Sequence, residues 1–222
     1  MRWQTYKRNI IIIISLLVGS TTFAQTKYAD QSSQFIFDDY AVGEVLMKDN
    51  KKHSARMNYN AVTEKIVFEQ GGQLLELANL HTIDTVYLHG RKFTPVKGAF
   101  FEKIETTPIP LFVQHKRKLV RSKKKVGFGE TSELATTYGY SSAELDGYDL
   151  NLPLTDNYEV TINPVFWVLK DRSMKSFSTE RQLLKIFSKK KNEIKEYIKS
   201  EKLNIENIDD VAKIITFSAK DN

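Results

Sequence analysis

Apolar and polar residues alternate along HSARMNYN, residues 53–60, where Ala55, Met57 and Tyr59 interleave with Ser54, Arg56 and Asn58. A two-residue period sends successive side chains to opposite faces and predicts a strand with one face buried. KIVFEQ, QLLELA, DTVYLHG and AFFEKIE follow at short intervals, separated by KDNKK, NYNAVTE, EQGGQ and LHGRK, which are rich in the residues that tight turns require. Spacers this short leave no room for crossover helices, so the expected sheet is an antiparallel meander. Pro108 and Pro110 in TPIPLFVQHK cannot donate to a ladder and predict an edge or a strand start. Residues 126–157 are polar, dotted with Gly and Ser and weakly periodic, and YEVTINPVFWVLK then returns to strand composition.

The period changes at Phe177-Ser178-Thr179. Thr179 and Gln182 form a capping-box pattern ahead of LLKIF, which opens a helix. Ile194, Tyr197 and Ile198 make one apolar stripe; Ile208, Val211, Ala212 and Ile215 make another, capped by Asn207 with Asp209 and Asp210 in the first turn. The expected fold class is therefore mainly β with a C-terminal α-helical segment: an antiparallel meander over residues 35–178, shaped as a sandwich or an incompletely closed barrel, then helices over 179–222.

The first residues follow another pattern. MRWQTYKRNIIIIISLLVGSTTFAQ has a basic head (Arg2, Lys7, Arg8), an apolar stretch from Ile10 to Val18 and a small-residue end at Thr22-Phe23-Ala24. These are the parts of a cleavable signal peptide over residues 1–24, cut after Ala24, followed by a linker over 25–34. The apolar stretch is far shorter than the roughly 20 residues of a spanning helix. The basic head, the Ile/Leu core and the ending TTFAQ resemble signal peptides of Gram-negative Bacteroidota, whose exported chains often begin at a Gln such as Gln25. That resemblance, shared with exported β-rich envelope proteins, implies a periplasmic or secreted address and nothing about chemistry; the short apolar stretch leads to the expectation of no transmembrane span after cleavage.

Charge looks different once the signal is set aside. The whole chain carries 33 Lys+Arg against 27 Asp+Glu, and three of the basic residues lie in residues 1–24, so the net charge falls from +6 to +3. Nucleic-acid-binding domains show a strong, clustered basic excess, and none is expected as a partner here. The absence of Cys removes disulfides, thiolate metal sites and a lipobox anchor.

The run HKRKLVRSKKK, residues 115–125, holds seven Lys or Arg. Its simplest reading is a charged strand pair protected from illegitimate pairing by lysines. The alternative is a contact with an anionic lipid surface or polysaccharide through Lys116, Arg117, Lys118, Lys123, Lys124 and Lys125. The four histidines, His53, His81, His89 and His115, have no ligand-like spacing, and Glu144, Asp146 and Asp149 do not match a calcium loop. No metal or other cofactor is expected. G-x-S-x-G and S-x-x-K are absent, and Gly127 with Gly129 lack the rest of a phosphate-cradling loop. Aromatic residues are dense, and Tyr138, Tyr140, Tyr148 and Trp167 are candidates to line a groove for an apolar ligand, peptide or sugar.

Together these features lead to the expectation of an exported, soluble, non-catalytic binding or structural protein of the bacterial envelope. A carrier of an apolar ligand or lipid in a curved sheet is the alternative, loosely resembling periplasmic lipoprotein carriers in architecture. A hydrolase with two carboxylates meeting in space is the third reading.

Overall fold

The computed structural model describes residues 34–121 and 158–220. The expected signal peptide, residues 1–24, lies outside them, as do all but the last residue of the linker. Ten strands form one antiparallel sheet: β1 (Ala41–Met47), β2 (Lys52–Asn60), β3 (Lys65–Gln70), β4 (Gln73–Glu76), β5 (Ile83–Leu88), β6 (Arg91–Val96), β7 (Ala99–Ile104), β8 (Leu111–Gln114), β11 (Val165–Lys170) and β12 (Ser173–Phe177). Their order is β12-β11-β8-β7-β6-β5-β1-β2-β3-β4. A second, two-stranded ladder pairs β9 (Arg117–Arg121) with β10 (Tyr158–Ile162). It prolongs the β8–β11 pair, and the Asn163 N–H donates to the Lys116 carbonyl where the two ladders meet. The helices are α1 (Glu180–Ile186), α2 (Lys191–Ser200) and α3 (Ile208–Ala219). Among the described residues no helix is long and apolar enough to cross a membrane.

Two-residue turns set much of the strand register. Gly71-Gly72, His89-Gly90, Lys97-Gly98 and Asp171-Arg172 each join adjacent strands with φ positive at both residues, the conformation that matches the twist of a hairpin. Three of the four have Gly second, where a side chain costs energy; the fourth has Arg172, exposed at φ 59°. Arg172→Gly should therefore raise stability by about 0.5–1 kcal/mol, the left-handed penalty less the added chain entropy of Gly. A thermal melt checks this; an unchanged or lower Tm would count against it.

Pro110 immediately precedes β8, so it acts as a strand start, while β8 itself is an interior strand. Pro95 lies inside interior strand β6, but the β5 ladder covers only Arg91–Phe93, so its missing N–H leaves no gap in that ladder.

One row of cross-strand partners crosses seven strands: Phe177, Phe166, Val113, Glu102, Phe93, Val86 and Val45. All seven are buried, and six are apolar. The row runs through two cores. Around β8, β11 and β12 the sheet packs against the helices through Leu183, Leu184, Phe187, Ile194, Val211, Ile214 and Ile215. Around β1, β2, β3, β5 and β6 it curls on itself and packs Met57, Tyr59 and Ile66 against Phe93 and Phe100. The curl brings the β2–β3 turn to the far strands: the Phe100 N–H donates to the Glu64 carbonyl at 3.0 Å, and the Arg117 N–H to the Ala61 carbonyl at 2.9 Å. These are isolated bonds rather than a ladder, and the sheet is not closed into a barrel.

The alternation read in β2 holds for Met57 and Tyr59, yet Asn58 and Asn60 are buried as well. A strap, residues 34–39, crosses their face. Asn58 Nδ2 donates to the Phe37 carbonyl at 2.9 Å, and Asn60 Oδ1 accepts from the backbone N–H groups of Val62 and Thr63. Asn60 Nδ2 donates to Gln34 Oε1 at 3.3 Å, so the strap and nearby backbone satisfy both amides and their burial is tolerated. The caps read from sequence are present too: Gln182 N–H donates to Thr179 Oγ1 at 3.3 Å, and Asp210 N–H to Asn207 Oδ1 at 3.0 Å.

Candidate functional site: a polar cluster between two cores

Glu102 is the one charged member of the cross-strand row, and it lies where the helix-covered core gives way to the curled one. Strand parity puts Arg91, two residues before its partner Phe93, and His115, two residues after Val113, on the same side of the sheet. Both reach the carboxylate. Arg91 binds it through two nitrogens, Nε to Oε1 at 2.5 Å and Nη2 to Oε2, and His115 Nε2 lies 2.7 Å from the same Oε2. Arg91 Nη2 and His115 Nε2 are 3.0 Å apart. With the imidazole neutral, Nε2–H donates to the carboxylate, so the two nitrogens converge on one acceptor rather than bond to each other.

Tyr59 closes the cluster from β2. Its ring stacks on Phe93 at 5.3 Å, meets the edge of His115 at 5.8 Å, and its hydroxyl donates to the Phe100 carbonyl at 2.8 Å. The strap closes it from above, with the Arg91 guanidinium 5.1 Å from the Phe37 ring and 5.7 Å from that of Phe93.

The electrostatics follow from this packing. Burial alone would raise the Glu102 pKa, but hydrogen bonds from Arg91 and His115 and their charges outweigh it and bring it down to about 2. His115 is pushed below its ordinary value by burial, with Arg91 and Arg117 adding to the effect and Glu102 opposing it. Burial and the charges of Glu64 and Glu102 drive the Tyr59 hydroxyl well up. At neutral pH the trio is Arg⁺, Glu⁻ and neutral His, with no net charge. Such a carboxylate accepts hydrogen bonds and has no proton to give.

A second buried glutamate, Glu64, lies in the β2–β3 turn with φ at 59°. Gln114 Nε2 donates to its Oε2 at 2.5 Å, and Lys116 Nζ is 3.4 Å from its Oε1. Gln114 in turn accepts from Trp167 Nε1 at 3.0 Å, while Phe101 lies beside the indole and Lys97 Nζ sits 4.6 Å from its centroid. Trp167 is thus half-buried and bonded at its nitrogen. Tyr138, Tyr140 and Tyr148 lie outside the described residues, so no aromatic groove can be assembled around it from them.

The basic run divides. Residues 117–121 are strand β9, paired only with β10. Lys116 reaches Glu64, and the half-buried Arg117 donates to the Phe35 carbonyl of the strap. Lys118 is exposed, and Lys123, Lys124 and Lys125 lie outside the described residues, as do Gly127, Gly129, Glu144, Asp146 and Asp149. His53 and His81 are exposed, and His89 stacks on Phe37 at 4.2 Å in the β5–β6 turn. Among the described residues no group of three or more His, Asp or Glu is placed to hold a metal. An open groove of about 400 Å³ lies between α2, α3 and the end of β7, lined by Ile104, Tyr197, Ala212 and Phe217 with Lys213 and Lys220 beside them.

Arg91 and Glu102 were not singled out from sequence. One signal was present: in AFFEKIE, Glu102 shares parity with Phe100 and Ile104, so a strand that buries those two also buries a carboxylate, which requires a partner. Comparison of the chain with family models, curated proteins and solved structures finds no match in any of the three.

Proposed function

We propose that the chain is an exported, non-catalytic binding or structural protein of the bacterial envelope. The address rests on residues 1–24. The non-catalytic reading rests on one observation: among the described residues the buried acid–base cluster is spent on itself, with both oxygens of Glu102 held by Arg91 and His115. A glycosidase-type general acid needs a carboxyl held protonated by a raised pKa, whereas the pKa of Glu102 is lowered to about 2. Glu64, the only other buried carboxylate among the described residues, also has both oxygens engaged. A filled interior likewise favours a binder over a carrier, since Met57, Tyr59, Phe93 and Phe100 occupy the inside of the curl with no exposed surface.

The test is incubation of the purified protein with isolated envelope fragments. Saturable co-sedimentation, with no soluble sugar or peptide released, is the expected result. Release of fragments on a catalytic timescale would overturn the non-catalytic reading. N-terminal sequencing of protein recovered from the periplasm should read from Gln25, and an intact Met1 would overturn the address.

A further inference from the structure

Two groups, Arg91 and His115, converge on one oxygen of Glu102, and of the two only His115 can change its charge as pH falls below about 6.5. Glu102 Oε2 accepts from Arg91 Nη2 and from His115 Nε2, and Arg91 also touches the strap at the Phe37 ring, beside the Phe37–Phe93 contact and the Ile36 N–H bond to Tyr59. Arg91 is the more exposed partner, with its side chain 31% exposed against 13% for His115. We infer that Glu102 is the shared acceptor of a partner exchange: protonated His115 takes the carboxylate alone, Arg91 is released toward solvent, and the strap over residues 34–39 loosens.

The charges facing His115 favour this order of events. Glu102 lies on β7 and attracts the imidazolium. Arg91 on β6 and Arg117 on β9 repel it, and the Tyr59 ring on β2 presents no charge to it. Beyond these, Asp38 of the strap acts on Arg117, and Glu64 acts on Tyr59 while paired with Lys116. Protonation takes the trio from neutral to one buried positive charge. Departure of Arg91, the more exposed cation, removes that charge, and the His115–Glu102 pair then stands in place of the Arg91–Glu102 pair. Once Arg91 leaves, Phe37 loses its cation contact and keeps its stack on His89 and the Asn58 bond to its carbonyl. Loosening is therefore local, because the strap residues Ile36 and Phe37 pack against the curled core.

Amide hydrogen exchange on the purified protein, corrected for the intrinsic chemistry, tests this. Ile36 N–H donates to the Tyr59 carbonyl and Ala61 N–H to the Gln34 carbonyl, so both report on the strap. As pH falls below about 6.5, the ordinary imidazole value, their protection should fall about tenfold or more while that of Phe166 and Val168 in β11 stays the same. His115→Gln keeps a donor for Glu102 but cannot titrate, and should abolish the pH dependence. An equal fall in His115→Gln, or a fall spread evenly over the whole domain, would overturn the inference. The wild type supplies a reading that needs no variant: the midpoint of the His115 imidazole titration, followed by NMR, must coincide with the midpoint of strap exposure, and separated midpoints would also overturn it.

Discussion

Glu102→Gln should lower stability by about 3 kcal/mol at neutral pH, because it leaves the Arg91 charge in a largely buried setting without its counter-charge. For a domain of this size that corresponds to a Tm roughly 6–12 °C lower. The pH dependence has a definite sign. The Glu102 pKa is lower in the folded chain, about 2 against 4.5, so its contribution is fully present above about pH 4.5 and is lost as pH falls toward 2. His115 acts in the same direction: its folded value is also lowered, so stability is lost as pH drops below its ordinary value of about 6.5. The gap between wild type and Glu102→Gln should therefore be wide at pH 7 and close toward pH 2. A gap independent of pH would show that the variant acts through packing. The paired change Arg91→Met with Glu102→Leu should recover most of the loss, since apolar replacement of a buried pair is often neutral.

Removing residues 179–222 should be the more damaging change. It strips Leu183, Leu184, Phe187, Ile194, Val211, Ile214 and Ile215 from the sheet and exposes Leu111, Val113, Phe166, Val168 and Phe177. Each fully buried side chain of this kind contributes about 1.5–3 kcal/mol, so the helix side alone, about 10–20 kcal/mol, is as large as the roughly 5–15 kcal/mol that holds a typical domain folded. Strong binding of a hydrophobic dye, or recovery only as aggregate, is the expected result. A truncated chain that melts at the wild-type temperature without dye binding would mean that the helices are an appendage. A point variant gives the same answer more gently: Ile214→Asp puts a charge in the middle of the contact and should also prevent stable folding.

The local devices were legible in the residues. EQGGQ holds a two-residue turn, Thr179 and Asn207 cap helices, and the inward parity of Met57 and Tyr59 is as read. LHGRK was read as turn throughout, whereas only His89-Gly90 turns and Arg91 already belongs to β6. In NYNAVTE the first three residues are strand. What sequence did not disclose is non-local. Pairing of β1 with β5 carries no signal in either strand, and Asn58 and Asn60 look like surface residues until the strap is laid over them. Arg91, Glu102 and His115 lie on three strands, and no spacing rule connects them. In the sequence His115 stands with the basic run that follows it, and its partners arrive only when β6 and β7 are aligned.

The β1–β5 junction also bears on how the chain reaches this shape. Hairpins form in about 1–10 μs, and the sheet contains two groups of them, β1 to β4 and β5 to β8. Alignment of Val45 with Val86 joins the groups and spans everything between β1 and β5, so its loop-closure entropy is the largest among these pairings. Until it forms, β1 and β5 each present an unpaired apolar edge. The interval before that pairing is when the nascent chain is most open to intermolecular association, and mutations at Val45 or Val86 should therefore act on yield through folding rate as well as through final stability.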